Sequence, residues 1–450
     1  MRGPVLTARI SVGALLLSAG PAIAADAAKT PTFTKDVAPI FQAKCETCHR
    51  VDSMAPMSLA TYQEARPWAK SIKARVVERQ MPPWHIDRNV GIQEFKNDRS
   101  LTDQEIDVIA RWVDAGAPMG DPKDMPKPVE WPDAAVWNFA KMFGGPPDLV
   151  IKSPSFTMPA HAQDAWDKRS TPSGITEPRW VRAIEIRPAT NKGRKIVHHA
   201  LARLSQDDPI DNAAAAGSAD DDDNINAGPG LFMEWAVGKQ GEIMRPDTGK
   251  LLLPGSQFVW DIHYSAAGEE ITNNVELGIY FYPKGQEPKY RQVLHAMGTG
   301  GIDIPPNSVK GTQGFFVMKQ AGRVESFQPH MHLRGKAMMM EAILPSGKTE
   351  VLSHVDNFNF NWHNSYYYAD DAAPILPKGT VLRITAWHDN TAANKSNPDP
   401  AQWVGHGDRT VDEMAHAWVN VTYMSDEDYK VEVEKRKALK TANTEQQRQQ

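Results

Sequence analysis

The sequence is short of cysteine, with two in 450 residues, which excludes a disulfide-stapled scaffold. It lacks a strong charge of either sign. The formal net charge is −5, so no broad basic field recommends a nucleic acid as partner. Beyond the N-terminal segment no apolar run approaches the ~18 residues of a membrane-spanning helix, and no stable membrane insertion is expected. Hydrophobic residues make up 41% and charged residues 23%, which excludes disordered and collagen-like chains. At roughly 100–200 residues per domain the length predicts two to four domains.

The first residues set the compartment. Arg2 and Arg9 make a basic start, Ile10 to Ser18 is mostly apolar, and Ala22-Ile23-Ala24 is a small-residue cleavage signal. Residues 1–24 are therefore read as a signal peptide, and the protein as periplasmic or otherwise exported.

Residues 30–118 carry a helical pattern. Thr102-Asp-Gln-Glu105 has the form of a capping box, and Ile106, Ile109, Ala110 and Val113 repeat on one face before Gly116 and Pro118. Residues 119–147 are rich in proline and read as a linker. Beyond it, short β-type runs such as Trp180–Ile186, Leu277–Tyr282, Val381–Trp387 and Ala417–Tyr423 alternate with turn residues. The expected architecture is a small all-α domain followed by two all-β jelly-roll or sandwich domains, residues 148–288 and 289–425, with a charged tail at 426–450. Residues 211–230, with their alanine and aspartate runs, read as an exposed loop.

Cys45-Glu-Thr-Cys48-His49 is C-x-x-C-H, the spacing of c-type haem attachment. Two thiols can form thioethers to the haem vinyls while the adjacent histidine falls beneath the iron. A redox-active cysteine pair would share C-x-x-C without requiring the histidine. Met81, locked by Pro82-Pro83, is the candidate for the opposite axial position, with His85 a weaker one and core packing the alternative role for Met81. Met54 and Met57 follow His49 too closely to swing to the other haem face. Residues 33–120 resemble a class I cytochrome c with a Met-Pro segment after C-x-x-C-H.

The histidines of the β region come in a pattern. His198 and His199 are adjacent, so joint chelation from a strand requires a bulge or a strand end. His263 lies in the alternating run Phe258–Tyr264. His330 and His332 are spaced to share one strand face. Ile196-Val-His-His-Ala200, Trp260-Asp-Ile-His-Tyr264, Pro329-His-Met-His-Leu333 and Thr410-Val-Asp-Glu-Met-Ala415 together resemble the copper type II, ascorbate-dependent monooxygenases, a family that includes peptidylglycine α-hydroxylating and dopamine β-monooxygenases. The resemblance spans residues 146–425 and keeps the motif order.

It implies two copper ions. His198, His199 and His263 would hold an electron-relaying copper, and His330, His332 and Met414 the copper that meets dioxygen. Imidazole suits either copper oxidation state, and a thioether favours Cu(I). The implied activity is hydroxylation of a C–H bond of a small organic substrate with O2. Electrons would come from ascorbate or a redox protein, through the haem domain to the three-histidine copper, with the two coppers well separated. Where the peptide-amidating branch holds a substrate carboxylate with Arg, Asn and Tyr, this chain has Gln328, His416 and Trp418, so a glycine-extended peptide is not the expected substrate. Trp418, Trp362 and Trp387 are candidates for an aromatic substrate wall or for core. His363, His388 and His406 are candidates only for supporting the copper ligands. The competing expectation is a non-catalytic electron-transfer or copper-binding fusion.

Overall fold

The computed structural model describes residues 30–51, 53, 55–131, 136–208, 230–236, 239 and 241–449. The expected signal peptide, Met54 and all but the last residue of the 211–230 loop lie outside them.

Strand dominates. It accounts for 38% of the described residues against 17% helix, and the expectation of a separate small all-α domain ahead of two β domains is corrected by where the N-terminal residues go. Helix there comprises Phe33–Val37 continued by Ala38–Lys44, Tyr62–Ala65 joined through Arg66–Trp68 to Ala69–Val77, and Asp103–Asp114, packed on one another through Phe33, Phe41, Ile72, Ile109 and Trp112. Between the last two, Ile86–Gly91 is a strand that pairs antiparallel with Thr349–Val355, far along the chain. Trp84, Ile86 and Phe95 bury in the core of the C-terminal β region. The apolar residues of this segment have no complete partner surface among the short helices. They find one on a sheet edge whose remaining strands are encoded some 260 residues later.

The two β regions also share more than a linker. Each is a sandwich. In the first, Gln257–Tyr264 lies between Val197–Ser205 and Ala165–Asp167 in one sheet. The opposing sheet contains Arg179–Pro188 and Val275–Phe281. In the second, Thr349–Val355, Gly335–Ile343, Val381–Asp389 and Val309–Val317 form one sheet. Tyr290–Thr299, Ala415–Met424 and Ala321–Val324 belong to the other. Thr248–Leu252 runs parallel to Tyr290–Thr299, joining the two opposing sheets into a single 11-stranded sheet. The sandwiches keep separate cores but one continuous backbone ladder.

A buried polar plug lies beside this junction. Glu242 accepts from Lys250 (2.9 Å), from the Asn420 amide (3.0 Å) and from the Tyr367 hydroxyl (3.1 Å), while Lys239 pairs with Glu234 and Glu242. Burial opposes these charges, but the two ammonium groups hold the Glu242 carboxyl down to about 2. Each buried carboxylate thus meets a cation rather than standing alone.

Candidate functional site: a histidine cluster beside a cysteine-lined cavity

The strand pair carrying the first histidines explains how neighbours in sequence come to one side. His263 pairs with His199, but the next residue, Tyr264, pairs with Val197. His198 is the extra residue of a β-bulge, so the alternation that would send it to the opposite face is broken. The ligand atoms of His198, His199 and His263 consequently lie within 4.8 Å of one another, with the Nδ1 atoms of His198 and His199 3.3 Å apart. His263 Nε2 is held by the Asp164 carboxylate at 2.8 Å, and its ring lies flat against Trp166 at 4.5 Å. That leaves His263 Nδ1 buried and without a hydrogen-bond partner. An orphaned ring nitrogen, fixed by a carboxylate on the far side of the imidazole, is what a metal ligand requires.

His330 ends the strand Ser326–His330, and His332 follows it. Their ring centroids are 5.4 Å apart. His332 Nδ1 faces the Asp412 carbonyl at 3.0 Å, which directs its Nε2 away from that carbonyl. The Glu413 carboxylate accepts from the backbone N–H groups of His332 and Arg334 at 2.9 and 2.6 Å, anchoring the turn. Met414 is half-buried just before the strand Ala415–Met424, and its carbonyl is held by His388 Nε2 at 3.1 Å. Trp418 stacks on the His330 ring at 4.8 Å and packs behind a ligand candidate rather than lining an open wall. Trp387 packs near His354 in the other sheet. His406 is exposed.

Two further histidines join the cluster: His363, read from the sequence only as a support for the copper ligands, and His416, read only as the counterpart of a substrate-carboxylate residue. His363 Nδ1 lies 3.1 Å from His330 Nδ1, and His363 stacks over His199 at 6.3 Å. His416 sits 4.9 Å from the His330 ring. His199 and His330 are themselves only 6.3 Å apart between ring centroids. The expected well-separated copper groups are thus corrected to one contiguous cluster. No spacing rule could have found His363, because it enters from an irregular loop 33 residues beyond His330.

Burial makes these rings neutral. It pushes His198 down to about 4 and His363 and His416 to about 3, holds His199 and His330 well below the usual imidazole range, and the crowding of like rings adds to the effect. Neutral imidazole is the metal-binding form, and burial favours it at these five rings.

A cavity of about 800 Å³ lies alongside. Cys45, Cys48 and His49 stand on its wall, with Leu59, Ile72, Val76 and Met81. His49 Nδ1 is 3.2 Å from the Met57 carbonyl, which fixes the ring and would leave Nε2 to ligate a metal. Burial pushes the Cys45 thiol up to about 12 and raises Cys48 as well. A redox-active pair needs a thiol shifted downwards, and burial shifts these two the other way. Met81 shares this wall, whereas His85 lies on a neighbouring cavity and is buried beside the Tyr366 hydroxyl. The apolar lining, the fixed histidine and the paired cysteines fit a c-type haem.

No family model matches the chain, and no curated protein matches it. Among solved structures it is similar to the major capsid protein P2 of bacteriophage PM2, at 9% identity over 61% of this chain and 97% of that one, with a TM-score of 0.24. The structure of infectious bursal disease virus, Gx strain, is similar at 8% identity over 62% of this chain and 75% of that one, with a TM-score of 0.15. Similarity at this level carries no argument about function.

Proposed function

We propose that the protein is an exported haem- and copper-containing monooxygenase that hydroxylates a C–H bond of a small organic substrate. The observation that carries this reading is the three-histidine group, with its bulged strand and the orphaned Nδ1 of His263, set directly against His330 and His332. His198, His199 and His263 would hold one copper, and His330, His332 and Met414 the other. Cys45 and Cys48 would attach the haem, and His49 and Met81 would supply ligands to its iron. With metals bound, such a site would supply the two electrons from an external reductant that insertion of one oxygen atom of O2 requires. The chain's own residues do the rest. Asp164 fixes the face that His263 presents, Glu413 and Asp412 fix the turn of His332, and Trp418 covers one side of His330.

A second reading, a copper-binding electron carrier without oxygen chemistry, draws support from burial. His330 and His332 are only 3% and 4% exposed, while substrate and O2 must both reach that metal. Metal analysis and oxygen uptake separate the two readings. The monooxygenase carries about two coppers per haem and consumes O2 only when an oxidisable substrate is present. Copper without substrate-dependent uptake identifies the carrier, and a protein that binds no copper overturns both.

A further inference from the structure

The haem cavity and the histidine cluster share a wall. Trp362, His363, Asn364 and Ser365 line the cavity that holds Cys45, Cys48 and His49, and His363 faces His330 Nδ1 to Nδ1 at 3.1 Å. His363 is 5% exposed, and its Nε2 is buried without a partner. Its loop is held on both sides. The Asn364 amide donates to the Pro83 carbonyl (2.9 Å), the Asn97 amide donates to the Ser365 carbonyl (2.8 Å), and the Tyr366 hydroxyl accepts from the backbone N–H of His85 (3.2 Å). On the other side Phe327 pairs with Tyr366 in the strand that ends at His330. One short loop is therefore fixed to the segment that carries Met81 and to the strand that carries His330.

We propose that His363 is the relay between the haem cavity and the histidine cluster, so that electrons enter at the His330 side rather than at the three-histidine group. The inference rests on the haem and copper reading above. With both groups bound, His363 would lie on the path of single electrons from a haem held by Cys45, Cys48 and His49 to a copper held by His330 and His332. No bond forms or breaks, and no proton changes owner. His363 acts as a positioning residue: its hydrogen bond fixes the His330 ring while its own ring stands on the cavity wall.

The test uses the fully oxidised holoprotein, pulsed anaerobically with a photoreductant that delivers less than one electron per haem. Haem reoxidation is read at its visible absorption band, alongside copper content. In the wild type, reoxidation should depend on copper. His363→Phe should slow it by about tenfold or more with the haem spectrum and copper count kept. His363→Gln, which can still hydrogen-bond to His330, should restore much of the rate. Wild-type rates in both variants would overturn the relay, as would loss of copper from His363→Phe, which would make the residue a ligand. Wild-type reoxidation that ignores copper, or absence of covalent haem, would instead overturn the underlying reading.

Discussion

Single residues at this site are held by partners that are not themselves ligands. Asp164 is the plainest case. Its carboxylate accepts from or pairs with His263 Nε2 at 2.8 Å while Trp166 clamps the ring face, so the imidazole has one nitrogen left to offer. Replacing Asp164 with Ala frees the ring to rotate and removes the group that strengthens its basicity. Copper affinity at the three-histidine group should fall about 10- to 100-fold, measured by competition against a chromogenic Cu(I) chelator. An unchanged affinity would show that Asp164 is only a surface partner of the ring. Asp164 is far from His263 in sequence, and no spacing joins the two. By contrast the His198-His199 pair and the His330, His332 spacing are readable directly, because their chemistry lies in adjacent positions of one strand or turn.

Elements are positioned by strand registers and close backbone approaches. The Thr102 capping box forms as its spacing predicts: the Thr102 hydroxyl accepts from Glu105 N at 3.2 Å and Glu105 accepts from Thr102 N at 2.7 Å. Both partners lie within one turn, which makes such a signal local and legible. The crossing of Tyr290–Thr299 with Val309–Val317 is of the other kind. A Cβ on Gly314 would fall 2.1 Å from the Gly298 carbonyl carbon, backbone against backbone, so neither side can give. Gly314→Ala should destabilise the protein by about 3 kcal/mol, whereas Gly145→Ala, where nothing lies within 4 Å, should stay within ~0.5 kcal/mol. Urea unfolding midpoints of the two variants would show it, and equal midpoints would mean that the crossing relaxes without cost. The strand Ile86–Gly91 is not legible in the sequence for a related reason. Its alternation is short, its partner is remote, and it is flanked by genuine helices.

At the scale of the whole molecule, the continuous 11-stranded sheet makes the protein sensitive to acid through its buried neutral histidines. His295 illustrates this away from the metal candidates. It lies in the sheet between Phe316 and Tyr423, 2.8 Å from the Tyr423 hydroxyl, and burial pushes it down to about 4. An unfolded histidine takes up its proton near pH 6.5, while the folded ring stays neutral until about pH 4. Its contribution is therefore intact above pH 6.5 and is lost as the pH falls from 6.5 towards 4, by up to about 3 kcal/mol. His295→Gln should flatten the decline of the melting temperature across that window relative to the wild type. Parallel curves for the two proteins would contradict it. Because the sandwiches share one ladder, this loss should appear in a single cooperative transition rather than in one sandwich alone.

The sequence by itself determined the chemistry available: a C-x-x-C-H segment, a histidine pair, a lone histidine on a strand, an H-x-H turn and a following methionine, along with the β texture of residues 148–425. These are short-range patterns, and each reports on the few residues around it. Only the tertiary structure decided that the N-terminal helices are not a separate domain but lend a strand to a distant sheet. It alone brings His199 within 6.3 Å of His330 and sets His363 against both the cluster and the cysteine-lined cavity. The physical reason is common to all three. They arise from strand pairing and loop packing across long stretches of chain, where the free energy lies in burying complementary surfaces, and periodicity along one segment carries no information about which remote surface will cover it.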